Sequence, residues 1–182
     1  MHRNAEVKLE KKNILITGLP GVGKTTLIRR LSDELMQFHP VGFYTAEIRK
    51  GGVRKGFDLI CFDGRRGILS HVDIRSSFKV GRYGVDVAGF EDFLESIPFR
   101  DPAAQLIVID EIGKMECYSK RFKILLEDIL NSQKTIIATI ARKGGGIIAE
   151  VKKRPDVVMF EISRGNRDTI LSEILATALR KD

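Results

Sequence analysis

The stretch "GLPGVGKT", Gly18-Leu19-Pro20-Gly21-Val22-Gly23-Lys24-Thr25, limits what this chain can fold into more than any other. It follows the apolar run "ILIT" and opens "TTLIRRLSDEL", where Leu27, Ile28, Leu31 and Leu35 recur at helical spacing. Strand, glycine loop and helix in that order form the setting of a phosphate loop. The glycines let the backbone curl until its N–H groups converge on phosphate oxygens, and the helix N-terminus adds partial positive charge. Lys24 is expected to reach the β- and γ-phosphates, and Thr25 to place its hydroxyl on Mg²⁺. Nucleotide contacts are expected from Gly18 through Thr26.

A phosphate loop needs an acidic partner, and "LIVIDEIGKME", Leu106 to Glu116, supplies one. Leu106 to Ile109 read as a strand buried on both faces, with Asp110 and Glu111 where it leaves the core. Asp110 is the expected acid on the metal side, acting through water. One acid suffices beside Mg²⁺, so Glu111 is read as the base that aligns and deprotonates a water for attack on the γ-phosphate. The competing reading pairs Glu111 with Lys24 or Lys114. "DEIG" also fits Asp-x-x-Gly, which puts Gly113 among the nucleotide contacts.

Hydrophobic spacing maps the remainder. Strands are expected at 13–17, 41–48, 57–63, 68–72, 105–110, 134–141 and 157–162, and helices from about Thr25 to Phe38 and behind Asp86, Ser119 and Asn166 as caps. "RKGGVRKG" (49–56) and "GRRG" (64–67) read as turns. Strands alternate with helices at both ends of the chain, which argues for a mostly parallel sheet with helices on both faces. The middle reads as antiparallel ribbons added to it. The whole chain, 1–182, is taken as one domain with a polar leader over 1–12.

Composition narrows the function classes. No apolar run approaches the roughly 20 residues of a membrane helix, and the N-terminus lacks the core of a signal peptide. Cys61 and Cys117 cannot build a disulfide framework, which favours a reducing, cytoplasmic setting. His2, His39 and His71 are scattered and have no metal-ligand spacing. The net charge of +7 leaves nucleic acid open as a partner, but no nucleic-acid motif supports it.

Several phosphate-loop chemistries compete. A GTPase commonly reads guanine through Asn-Lys-x-Asp, which is absent. A small-molecule or nucleotide kinase needs an acceptor site and a lid, and the basic, glycine-hinged "ARKGGGIIAEVKKR" (141–154) is a candidate. A nucleotide-switched nucleic-acid-binding module is the non-enzyme alternative. A simple triphosphatase needs only loop, metal acid, base and water. "TGLPGVGKTTL" (17–27), "GFYTAEIRKGGVRKGFDLI" (42–60), "VGRYGV" (80–85), "VIDEIGKMECYSKRF" (108–122) and "NRD" (166–168) together resemble the cancer-related nucleoside-triphosphatase family, small enzymes described from thermophiles through animals. The resemblance implies a RecA-like three-layer α/β/α fold whose core includes the middle ribbons. It also implies Mg²⁺-dependent hydrolysis of several nucleoside triphosphates, so ATP, GTP and others are the expected substrates, and the chain is expected to act as a monomer or weak oligomer. Lys114, which would relieve repulsion between acids and phosphates, and Arg167, which would stack on the base or meet phosphate charge, complete the candidates.

Overall fold

The computed structural model describes residues 7–181. In the first half of the chain the elements are β1 (Val7–Leu9), β2 (Asn13–Gly18), α1 (Lys24–Glu34), β3 (Val41–Lys50), β4 (Val53–Cys61), β5 (Arg66–His71), β6 (Lys79–Val80), β7 (Tyr83–Val85) and α2 (Val87–Ser96). The second half adds β8 (Leu106–Ile112), α3 (Lys120–Asn131), β9 (Thr135–Ile140), α4 (Ile147–Lys152), β10 (Val157–Ile162), α5 (Ile170–Ala178) and β11 (Leu179–Lys181). Nine strands form one sheet in the order β10-β2-β9-β8-β3-β4-β5-β7-β6. From β10 to β3 every neighbouring pair is parallel, and from β3 to β6 every pair is antiparallel.

Continuous apolar strands feed two cores because successive side chains point to opposite faces. Leu106 and Val108 of β8 join Ile14, Ile16 and Ile137 under α1 and α5. Ile107 and Ile109 join Leu15, Phe43 and Ile136 on the other face, where Phe90, Phe122 and Val151 of α2, α3 and α4 close over them. The layers are therefore helix, sheet, helix, as the alternation of strands and helices implied. Asp86 accepts a hydrogen bond from Gly89 N–H, and Ser119 accepts one from Phe122 N–H, so both caps stand as read.

Several sequence expectations need correction. The helix expected through Phe38 ends at Glu34. Leu35 departs from helical dihedrals, and a 3-10 turn over Met36–Phe38 finishes at His39 with φ 50 before Pro40. The turn expected over 49–56 shrinks to Gly51 and Gly52, since Arg49, Lys50, Arg54 and Lys55 lie in the paired strands β3 and β4. Asn166 does not cap α5. Its side chain is engaged by Ser163 N–H and Glu161 O, and the helix opens after Thr169. Residues 1–6 of the expected polar leader lie outside the described residues, while its described part carries β1, which pairs antiparallel with β11.

Candidate active site

The phosphate loop runs from the end of β2 into α1. Gly21 and Gly23 hold φ 74 and 108, values that an L side chain resists. Gly18 is small for another reason: a Cβ there would stand 2.6 Å from Ile162 O of β10. Lys24 folds back over the loop and donates to the carbonyls of Gly18 at 3.2 Å and Leu19 at 3.4 Å. Leu19, Pro20, Gly21 and Thr26 are exposed, and Val22, Gly23, Lys24 and Thr25 are half-buried.

The acid strand is not the loop's neighbour. Strand β9 lies between β2 and β8, pairing in parallel with both. That intervening strand supplies a residue the sequence reading missed. Thr139 Oγ1 of β9 donates to Asp110 Oδ1, while Thr25 Oγ1 donates to Asp110 Oδ2 at 2.6 Å. Asp110 is 2% exposed, and these two hydroxyls offset part of its cost of burial. A hydroxyl inside the otherwise apolar "TIIATI" was the available signal for Thr139.

The acids do not leave the core where expected. Strand β8 continues through Ile112, with one extra residue against β9 between Ile109 and Ile112. A bulge of this kind breaks strict alternation, and both carboxylates reach phosphate-loop residues. Glu111 Oε2 lies 3.9 Å from Lys24 Nζ. Burial pushes the Glu111 carboxyl above its ordinary value; Lys24 pulls it down, Asp110 raises it and Lys152 lowers it.

Lys152 of α4 was not singled out from the sequence. Its ammonium donates to Ala141 O and to Arg142 O at 2.9 Å, tying down the base of the glycine-rich loop. Arg142 Nε is 3.6 Å from Glu161 Oε1. The 141–154 segment is thus a short loop and a six-residue helix fastened to β9 and β10. Lys114 is exposed in the turn after β8, and the cations acting on Glu111 are Lys24 and Lys152. Gly113 is buried in that turn, beside Glu111. Arg167 lies in the connection after β10, whose Ile162 pairs with Gly18. It is exposed and stands 3.9 Å from Asp168 Oδ1.

The donor set suits Mg²⁺. No group of three or more His, Cys, Asp or Glu among the described residues can cage a metal ion alone. A threonine hydroxyl and one buried carboxylate, joined at 2.6 Å, instead match an ion that keeps its waters and shares substrate phosphates. No helix among the described residues is long and apolar enough to cross a membrane.

A family model described as NTPase matches residues 13–175. A nucleoside-triphosphatase THEP1 from Thermotoga sp. (strain RQ2) is 45% identical over 164 residues, covering 90% of this chain and 93% of its own. The crystal structure of THEP1 from the hyperthermophile Aquifex aeolicus superposes with a TM-score of 0.79 at 36% identity, over 91% of this chain and 98% of that one. The solution structure of a human cancer-related nucleoside triphosphatase gives the same TM-score and identity, over 91% and 96% of the two chains.

Proposed function

Because the chain belongs to this NTPase family, we propose that it hydrolyses the terminal phosphate of nucleoside triphosphates, with water as the acceptor. The observation that carries the reading is the joining of β8, β9 and the first turn of α1 at Asp110. Its oxygens accept from Thr25 of the phosphate loop and from Thr139, with Glu111 3.9 Å from Lys24 alongside. The backbone of Gly18 to Gly23 and the first turn of α1 would receive the phosphates. Lys24, released from the carbonyls of Gly18 and Leu19, would meet the β- and γ-oxygens, where negative charge is greatest.

Thr25 and Asp110 would hold Mg²⁺, which when bound neutralises phosphate charge. Glu111 would orient a water and take its proton at Oε2 or Oε1 as the water oxygen bonds to the γ-phosphorus and the bond to the β,γ-bridging oxygen breaks, releasing nucleoside diphosphate and inorganic phosphate. A raised proton affinity suits that task, because a stronger base removes the proton more readily once it is ionised.

Low base selectivity, a monomeric single domain and a cytoplasmic setting belong to the same proposal. The absence of Asn-Lys-x-Asp supports the first of these. The test is phosphate release from each nucleoside triphosphate with Mg²⁺, with and without small acceptors and nucleic acid. Release that needs no acceptor is the expected result. Release only on adding an alcohol or nucleotide would make the protein a kinase, and release only with DNA or RNA would make it a nucleic-acid-dependent module.

A further inference from the structure

The chain carries a third acid that this reaction leaves without a task. Glu116 is 5% exposed and opens the 3-10 turn Glu116–Tyr118 that follows β8. A Cβ built on Gly113 would stand 2.8 Å from Glu116 Oε2 and 3.2 Å from Glu111 Oε1. The two carboxyls therefore converge on one bare Cα, where an added Cβ would displace Glu116 and crowd Glu111. Glu116 accepts from the backbone N–H of Gly113 and from its own, and Cys117 N–H closes the turn on Gly113 O at 3.0 Å. The side-chain charges acting on it are those of Glu111 and Asp110, both negative. A buried carboxyl without a cation is costly, and the carbonyl oxygen of a glutamine would accept the same two backbone bonds.

We infer that Glu116 is a positioning residue for hydrolysis: across the gap left by Gly113 it steadies the Glu111 carboxylate, and its ionisation weakens triphosphate binding. The inference rests on Glu111 being the base. Burial, helped by Glu111 and Asp110, pushes the Glu116 carboxyl up to about 8. The raised proton affinity favours a carboxyl that keeps its O–H on the Glu111 side of the turn. Loss of that proton places a negative charge beside Glu111.

The elements packed around the turn bring other charged groups. Asp110 and Glu111 face it from β8, and Lys24 and Lys152 act on Glu111 from α1 and α4. On α2, Glu91 is held by Ser119 and Arg121. Lys123 of α3 acts on Cys117 within the turn.

Three readouts test the inference. Binding of a non-hydrolysable triphosphate analogue and steady-state hydrolysis are followed from about pH 6 to 10 for the wild type, Glu116→Gln and Glu116→Ala. Circular dichroism checks each fold. A ¹³C NMR titration follows the Glu116 carboxyl in the wild type, where no variant has to fold.

The wild type should lose about tenfold in analogue affinity as pH rises through about 8, and Glu116→Gln should lack that step. Glu116→Ala should lower kcat at neutral pH by about tenfold with little change in KM, and glutamine should recover most of the loss. A Glu116 signal titrating in the ordinary carboxylate range, or a glutamine variant whose pH profile overlays the wild type, overturns the inference. Analogue binding does not depend on where the phosphate goes. A failure of the hydrolytic reading would instead appear separately, as a requirement for an added acceptor.

Discussion

The two halves of the sheet are built differently. The parallel half, β10-β2-β9-β8-β3, has its interior strands buried on both faces, and the loops at their carboxyl ends carry the site. The antiparallel half, β4 to β7, packs mainly against α2 and leaves Val53 and Ile68 exposed. Residues 41–85 hold nine Lys and Arg against four Asp and Glu, so most of the +7 net charge sits in this wing and β3 rather than at the phosphate site. Arg49 and Arg54 pair with Glu47, and Arg54 and Arg82 lie over Phe57 and Tyr83. Parallel strands aim successive loop ends at one ligand. Hairpins return the chain to the opposite edge and leave no such convergence.

If the halves are one folding body with chemistry on one side, the seam should be the place where a small change costs most. Gly42 of β3 lies on that seam, opposite Val108 of β8, with φ 133. A Cβ there would stand 1.8 Å from Val108 O. Gly42→Ala should therefore cost about 4 kcal/mol or more, read as a fall in the denaturation midpoint. Near-wild-type stability would show that β3 can shift away from β8 to admit the methyl, so that the wing's anchoring strand is not held rigidly to the parallel half.

Next in size is Lys24→Ala. It should lower kcat/KM by about 10³-fold or more and weaken triphosphate binding, with stability nearly unchanged. Isothermal titration and steady-state kinetics measure the two effects, and normal affinity and turnover would remove the loop from the site. Ser119→Ala deletes the cap of α3 and the bond to Glu91, for about 1 kcal/mol of stability. Smallest is Arg49→Ala at the exposed end of β3, where it pairs with the wing, which should shift stability by no more than about 0.5 kcal/mol and leave kcat alone. A tenfold loss of kcat there would mean that the wing takes part in chemistry.

The same contrast explains what could be read from sequence. The parallel strands show as unbroken apolar runs because both their faces are dry, and the loop between β2 and α1 has a pattern of its own. The facing ends of β3 and β4 are hidden in the sequence because their wet face admits Arg49, Lys50, Arg54 and Lys55, which look like turn residues when pairing is unseen. The end of β8 is hidden as well. Two acids suggested an exit from the core, yet Asp110 stays inside because Thr25 and Thr139, distant in sequence, supply its hydrogen bonds. Lys152 and Glu116 escaped notice for the same reason, since their meaning comes from what folding sets beside Glu111.

The central claim is that the parallel half ends in a base that activates water, and Glu111→Gln tests it most directly. Glutamine keeps the shape but cannot take a proton at neutral pH, and it removes one negative charge facing the phosphates. Single-turnover hydrolysis should slow by about 10²–10⁴-fold while equilibrium triphosphate affinity holds or rises. The acid limb of the wild-type rate profile should lie above the usual carboxylate range, because burial raises the Glu111 carboxyl and activity is lost as pH falls through its value. A variant that keeps more than about a third of wild-type turnover would contradict the claim, leaving Glu111 as an ion-pair partner of Lys24.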